Sequence, residues 1–215
     1  MKIIKAAKKY LVFNKNLDYK KYWNKRYQEG GNSGKGSYGE LFEYKTNYIN
    51  EFIETNNIKS LIDFGCGDGN QIKSLAPIKY LGFDVAMSSI NICRNSYNDD
   101  ENKSFMLYDP NYFSNNNFIG SELVISLDVL YHIIDEEDFI KTINDIFSCS
   151  NKFVILFTSF DRFTDEPYKA GTHVRHRDTL RYLKNIDGFE IVKIEPKFDV
   201  NISSASFIIM KKISN

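Results

Sequence analysis

The chain has 215 residues, and its 28 basic and 28 acidic side chains give a formal net charge of zero. This length fits one domain with a full hydrophobic core, or one domain with a small appendage. The balanced charge, without a basic stripe, argues against a nucleic-acid partner. No apolar run reaches membrane-spanning length, so we expect no membrane partner.

The cysteines bear on compartment and metal binding. Cys66, Cys93 and Cys149 are an odd number, lie far apart in the sequence and form no CxxC pair. This spacing argues against a disulfide framework and against a zinc site. The first residues lack the long apolar centre of a secretory signal. We therefore expect a cytoplasmic protein without a metal, and the sequence leaves its oligomeric state open.

The N-terminal part is predicted to be helical, with a flexible segment inside it. Residues 1–28 carry an aromatic and basic pattern typical of a helix, and a helix at about 40–54 follows. Between them, Gly30–Gly39 has the most flexible composition of the chain. We interpret this segment as a lid over a binding site, with a disordered linker as the alternative. Residues 1–57 then precede one globular unit, 58–215.

Strands and helices alternate through the rest of the chain. We predict strands at 59–64, 79–84, 103–107, 122–127, 152–158, 189–195 and 202–211. We predict helices at about 69–76, 87–97, 136–148 and 177–185. Strands separated by helices indicate an α/β fold with a parallel sheet. The connection between the last two strands is too short for a crossover helix, so these strands should pair antiparallel.

A glycine-rich turn follows the first predicted strand. Gly65, Gly67 and Gly69 stand at alternate positions, directly before a helix-like segment. This pattern is typical of a strand that turns into a helix beside a nucleotide-like cofactor, where glycine permits positive φ and close approach. A second apolar run ends in Asp84, about 20 residues further on, where such sheets place an acid that binds ribose hydroxyls.

These motifs occur in the order known from one family. The acid and glycines from Asp63, then Asp84, Asp109 and the segment from Asp128 to His132 resemble class I S-adenosylmethionine (SAM) dependent methyltransferases over about 58–212. The resemblance implies a Rossmann-like fold: a seven-stranded, mostly parallel sheet with an antiparallel last strand, helices on both faces and an N-terminal helical lid. It implies SAM as cofactor and S-adenosylhomocysteine (SAH) as product, with no metal.

The resemblance also implies roles for single residues. Asp63 would order the glycine loop and meet the amino group of the methionine part, Asp84 would bind the ribose, and Asp109 would accept from the adenine amino group. The alternatives are a helix cap, a surface acid and an Asp-Pro turn. The positions that match cofactor-binding ones are Asp63, Gly65, Cys66, Gly67, Gly69, Asp84, Val85, Asp109, Leu127 and Asp128.

Two residues after the fourth predicted strand are candidates for catalysis. Asp128 and His132 match family positions that face the transferred methyl group, and a spacing of four places them on one face of a helical turn. Histidine has an ordinary pKa of about 6.5, so His132 could take a substrate proton at neutral pH. The alternative is a histidine that packs beside Tyr131 and bonds to the backbone.

A cationic cluster follows the fifth predicted strand. His173, Arg175, His176 and Arg177 lie where loops form the ligand crevice of such sheets, and arginine binds phosphate or carboxylate in bidentate fashion. We interpret the cluster as a clamp for an anionic substrate, with a solvated helix start as the alternative. The candidate substrate-binding residues are Trp23, Arg26, Tyr27, Tyr38, Tyr131, His173, Arg175, His176 and Arg177.

The N-terminal pattern refines the expected function. Tyr22-Trp23-x-x-Arg26-Tyr27, followed by the glycine-rich segment, resembles bacterial methyltransferases of capsule and surface-glycan biosynthesis. We therefore expect methyl transfer to a small acceptor that is phosphorylated or sugar-derived. The alternatives are an N-methyltransferase of a small amine, a nicotinamide-dependent Rossmann oxidoreductase and a SAM-binding module without catalysis. A catalytic Tyr-x-x-x-Lys, which would favour the oxidoreductase, is absent from the sequence.

Overall fold

The computed structural model describes residues 17–160, 172–199 and 201–213. Residues 1–16 of the predicted N-terminal helical pattern lie outside this part of the chain. The helices are α1 (Tyr19–Gln28), α2 (Gly39–Thr55), α3 (Met87–Ser96), α4 (Glu136–Ser148) and α5 (Thr179–Leu183). The strands are β1 (Ser60–Phe64), β2 (Lys79–Asp84), β3 (Lys103–Leu107), β4 (Ser121–Leu127), β5 (Ser150–Thr158), β6 (Phe189–Ile194) and β7 (Ser206–Lys212).

The strands form one seven-stranded sheet in the order β3-β2-β1-β4-β5-β7-β6. β1 to β5 pair in parallel, and β7 lies antiparallel between β5 and β6. The order reverses between β1 and β4, which is where open α/β sheets form a ligand crevice. The predicted sheet, with its reversed last strand, is confirmed.

Helices cover both faces of the sheet because its strands are apolar on both sides. Neighbouring residues Leu61 and Ile62 on β1 point into two different buried clusters. The first cluster takes in residues of α2 and α3, and the second takes in residues of α1, α4 and α5. In the part of the chain that the structure describes, no helix is long and apolar enough to cross a membrane.

The predicted helix at 69–76 is wrong. The structure has a short 3-10 helix there, Gln71–Ser74, and Leu75 is already extended. Pro77 explains the early end, because the ring of a proline disfavours helical backbone in the residue before it. The other predicted elements of the described chain occur with shifted ends. β7 begins at Ser206 rather than at 202, and α5 begins only after Asp178, whose side chain caps it.

Candidate functional site

A pocket opens at the carboxyl ends of β1, β2 and β4, beneath α1 and the glycine-rich segment. Its walls include Phe64 and Val85 from the sheet, Tyr19 and Trp23 from α1, and Thr142 from α4. The space in it measures about 670 Å³ when the part continuous with solvent is counted.

The glycine loop after β1 has no room for side chains. A Cβ on Gly65, at φ +91°, would lie 2.2 Å from a methyl carbon of Val129, and a Cβ on Gly67, at φ +56°, would lie 2.2 Å from the Ser33 hydroxyl oxygen. Gly65 and Gly67 both line the pocket, whereas Cys66 and Gly69 do not. At Gly65 and Gly67 a side chain would displace Val129 or Ser33, and positive φ also favours glycine at both positions.

Asp84 closes the end of β2 and lines the pocket. One of its carboxylate oxygens accepts from the Gly67 amide at 2.9 Å, and the other accepts from the Ala86 amide at 2.8 Å. Burial raises the pKa of Asp84 to about 6, although these hydrogen bonds oppose the rise. Each carboxylate oxygen keeps a free lone pair, which suits a pair of neighbouring hydroxyl groups.

Two of the predicted cofactor acids, Asp63 and Asp109, do not line the pocket. Asp63 is buried and accepts from the Tyr80 hydroxyl at 2.8 Å, and burial raises its pKa to about 7. Asp109 is partly exposed and accepts from Lys20 Nζ at 2.7 Å. Burial raises the pKa of Asp109, but the hydrogen bonds from Lys20 and Asn111 and the charge of Lys20 together outweigh it and hold the pKa below its ordinary value. On this side the pocket wall is Tyr108 instead.

Asp128 lines the pocket beyond β4, between Leu127 and Val129. Its backbone has φ +63°, which is unusual for a residue other than glycine. One carboxylate oxygen accepts from the Tyr131 hydroxyl at 2.6 Å, and the other accepts from Lys45 Nζ at 2.6 Å. Asp128 is thus a carboxylate on the pocket wall with a fixed direction.

His132 lines the same wall and belongs to an aromatic cluster. Its Nδ1 lies 3.0 Å from the His173 carbonyl oxygen, and the two imidazoles stack with centroids 5.3 Å apart. Trp23 meets His132 edge-on at 4.9 Å, and Tyr22 stacks on His173 at 4.8 Å. Burial lowers the pKa of His132 to about 4, so the imidazole is neutral at physiological pH. His132 is therefore bonded to the backbone, as the alternative interpretation has it, and it also lines the pocket.

The predicted arginine clamp does not reach the pocket. Arg177 is buried and donates to the carbonyl oxygens of Ile133 and Ile134 and to Glu136. Arg175 donates to the Ile134 carbonyl oxygen and pairs with Glu136 at 3.0 Å. The reason is that a buried guanidinium needs acceptors, and the start of α4 supplies them. Of the two histidines, His173 stacks on His132, and the Nδ1 of His176 lies 2.6 Å from the Ser159 hydroxyl.

The glycine-rich segment is docked on the glycine loop. Asp68 accepts from the Ser33 amide at 3.0 Å, the Ser33 hydroxyl at 2.8 Å and the Tyr38 hydroxyl at 2.9 Å. Ser33 and Ser37 line the pocket, as does Tyr27, which bonds to Ser33 at 3.1 Å. Tyr38 itself does not line the pocket. Asp68 thus holds the glycine-rich segment against this side of the pocket.

Arg26 contacts the glycine-rich segment from outside the pocket. It donates to the Asn32 carbonyl oxygen at 2.7 Å, and its guanidinium lies 5.6 Å from the Trp23 ring centroid. Among the described residues, no group of three or more His, Cys, Asp or Glu side chains could hold a metal ion.

Several solved structures with a similar backbone are methyltransferases. Magnesium protoporphyrin IX methyltransferase ChlM from Synechocystis PCC 6803, with bound SAH, superposes with a TM-score of 0.66 at 16% identity, over 90% of this chain and 97% of that one. The N-methyltransferase NodS from Bradyrhizobium japonicum WM9, with SAH, gives 0.68 at 12% identity, over 93% and 100%. The chain has the Rossmann-like fold of class I methyltransferases. A SAM-dependent methyltransferase from Clostridium acetobutylicum ATCC 824 gives 0.63 at 14% identity, over 80% and 92%.

At the level of sequence, no family model and no curated protein matches the chain. The methyltransferase fold is thus seen in the backbone rather than in overall sequence identity. It also brings to the site residues that sequence reasoning missed, above all Ser33, Lys45 and Asp68. A signal existed for Lys45, which interrupts the apolar stripe of Leu41, Ile49 and Ile53 on α2. Ser33 had no such signal, because nothing in a glycine-rich segment indicates what it docks on.

Proposed function

We propose that this chain is a SAM-dependent methyltransferase that acts on a small molecule and releases SAH. The observation that carries the proposal is Asp84, a buried carboxylate that faces the pocket at the end of β2, beside the Gly67 amide. Such an acid is suited to two hydroxyl groups of a ribose. A nicotinamide-dependent oxidoreductase would use the same acid, so the charge of the pocket and a binding experiment distinguish the two functions.

The charge of the pocket favours SAM. Asp84 and Asp128 both lie on its wall, and no lysine or arginine of the described chain does. SAM carries a sulfonium and an ammonium group, which acidic walls attract, whereas the pyrophosphate of a nicotinamide dinucleotide would be repelled. When bound, SAM supplies the activated methyl group. ChlM and NodS, which share the fold, were both crystallised with SAH.

We further propose that the acceptor is a neutral hydroxyl or amine rather than an anion. The anionic acceptor expected from the sequence depended on Arg175 and Arg177, which are engaged at the start of α4. His132, by contrast, is neutral and lies on the pocket wall. A sugar hydroxyl, as in a surface glycan, and a small amine both belong to this class. The neighbours span a comparable range, from a magnesium protoporphyrin IX methyltransferase to an N-methyltransferase.

The chain's own residues would then position the reactants and exclude water. His132 can accept a hydrogen bond from the hydroxyl or amine and so direct its lone pair toward the methyl carbon. The lid formed by Gly30–Gly39 closes the pocket through Ser33 and Asp68. A closed lid keeps water from competing with the acceptor.

Titration calorimetry with SAM, SAH and NAD tests the proposal. We expect SAM and SAH to bind and NAD not to bind under the same conditions. Binding of NAD without SAM would overturn the proposal in favour of the oxidoreductase. Transfer of labelled methyl from SAM to a panel of hydroxyl and amine acceptors then tests catalysis. Transfer only to phosphorylated or carboxylate oxygens would overturn the neutral-acceptor part.

A further inference from the structure

Lys45 lies in the middle of α2 with its side chain fully buried. Burying an ammonium group is costly, and lysines are seldom buried unless they are paired. Its Nζ donates to a carboxylate oxygen of Asp128 at 2.6 Å and lies 5.6 Å from the Phe157 ring centroid. An apolar residue of similar size is often no worse for stability than such an ion pair. The role of the pair therefore lies in what it does to Asp128.

The Asp128 carboxylate is fixed from several directions. Besides Lys45, the Tyr131 hydroxyl donates to its second oxygen at 2.6 Å. Its backbone amide donates to the Phe157 carbonyl oxygen at 2.9 Å, which supports the positive φ. The lid passes directly over it, since a Cβ on Gly36 would lie 2.6 Å from the oxygen that Lys45 binds. Helix, sheet and lid thus meet at this carboxylate.

The charge of Lys45 also reaches Asp63, behind the pocket. Burial raises the pKa of Asp63 to about 7, while the Tyr80 hydrogen bond and the charge of Lys45 oppose the rise. The nearby Asp84 carboxylate adds to the rise in the pKa of Asp63. The Asp63 carboxylate in turn helps to raise the pKa of the Cys66 thiol. Lys45 thus bonds to the carboxylate on the pocket wall, and its charge also acts on the buried carboxylate behind the pocket.

We propose that Lys45 is a positioning residue for the cofactor. It does not line the pocket, so it acts through Asp128 and through its charge rather than by touching a ligand. Its bond keeps the Asp128 carboxylate at the pocket wall, where that carboxylate can accept from the ammonium group that SAM and SAH share, and its charge favours the ionised state of Asp63 behind the pocket. The inference rests on the proposed function, because it takes SAM and SAH as the ligands.

Calorimetric titration with SAH between pH 5.5 and 8.5 tests it without an acceptor. We expect Lys45→Met to weaken SAH binding by about tenfold or more at neutral pH. The pH at which SAH affinity is half-maximal should also rise by roughly half a pH unit or more. Lys59→Met is the matched control, because Lys59 is exposed next to the amino end of β1, and its profile should match that of the wild type. Lys45→Arg keeps the charge and should keep the wild-type midpoint.

The outcomes separate this inference from the proposed function. A folded Lys45→Met variant with the wild-type profile would overturn the inference alone, as would weaker binding with an unmoved midpoint, which a merely structural role would give. Absence of SAH binding by the wild-type protein would overturn the proposed function and this inference with it. If Lys45→Met does not fold, Asp128→Asn removes the charge through which Lys45 is proposed to act, and unchanged SAH affinity in that variant would contradict the inference.

Discussion

The imidazole of His132 is tied to the backbone carbonyl of His173, with 3.0 Å between Nδ1 and the oxygen. A carbonyl oxygen only accepts, so Nδ1 carries the proton and Nε2 keeps its lone pair. The neighbouring Arg175 amide donates to the Tyr131 carbonyl oxygen at 2.7 Å, which ties the two segments together once more. One backbone contact thereby selects the tautomer of the histidine on the pocket wall.

This environment predicts an unusual titration of His132. Because burial holds its pKa at about 4, His132 stays neutral between pH 5 and 8 and becomes charged only in acid. Protonation in the folded state is unfavourable, so this group costs stability as the pH falls below the ordinary histidine range of about 6.5. Proton NMR of the three histidines, with His132→Gln for assignment, measures it. A His132 midpoint near 6.5 would contradict the expectation.

We expect Asp84→Asn to weaken SAM binding more than any other single carboxylate change. Two lost charge-assisted hydrogen bonds correspond to about 2–4 kcal/mol, which is roughly 30-fold to 1,000-fold in Kd. Calorimetry on the variant measures the loss. Asp99→Asn, on the exposed turn after α3, is the control and should bind like the wild type. Unchanged affinity in a folded Asp84→Asn protein would refute the ribose role.

Asp63 should make the ligand-free protein less stable as the pH rises. Its folded pKa of about 7 lies above the ordinary value of 3.8, so the folded state binds the proton more tightly. The free energy of unfolding should therefore fall between about pH 4 and pH 7 and level off above. Asp63→Asn removes this group and should be more stable than the wild type at pH 8, by roughly 2–4 kcal/mol. Urea unfolding at pH 5 and pH 8 checks the sign, and an equal difference at both pH values would contradict it.

Asp68→Ala should release the lid. It removes three hydrogen bonds from Ser33 and Tyr38, so amides of the Gly30–Gly39 segment should lose protection from hydrogen exchange. SAM should dissociate faster by about tenfold, which corresponds to about 1.4 kcal/mol of net stabilisation of the closed segment by these partly exposed bonds. In the wild type, SAM with an acceptor should raise the protection of the same segment. Equal exchange with and without ligands would count against a lid.

Arg177→Gln should lower stability rather than acceptor affinity. The change leaves the Ile133 carbonyl oxygen without its donor and removes one of the two guanidinium groups that bind Glu136 and the Ile134 carbonyl oxygen, at a cost of about 1–3 kcal/mol. Arg181→Gln, on the exposed side of α5, should cost little. Thermal unfolding compares the two, and SAM affinity should stay close to the wild type in both. A stable Arg177→Gln protein with a much higher acceptor KM would instead support the sequence prediction that this arginine binds an anionic substrate.

The sequence by itself determined the sheet and the location of the site. Apolar runs separated by helical patterns specify strands, and short connections specify pairing direction, so β1 to β7 were predicted with small shifts at their ends. Gly65, Gly67 and Asp84 were predicted for the pocket because one backbone turn and one strand end place them there. Strand positions, pairing direction and the residues at a turn or a strand end depend on short stretches of chain, so a local sequence pattern is enough to predict them.

Only the tertiary structure decided which polar groups meet. Arg177 reads as a substrate ligand in sequence, yet it lies buried against the start of α4, because a guanidinium removed from water goes where acceptors are. Ser33 and Asp68 lie 35 positions apart and still form the lid contact. Lys45 and Asp128 are 83 positions apart and share a buried ion pair. Contacts of this range depend on how helices and loops pack around the sheet, which no local pattern encodes.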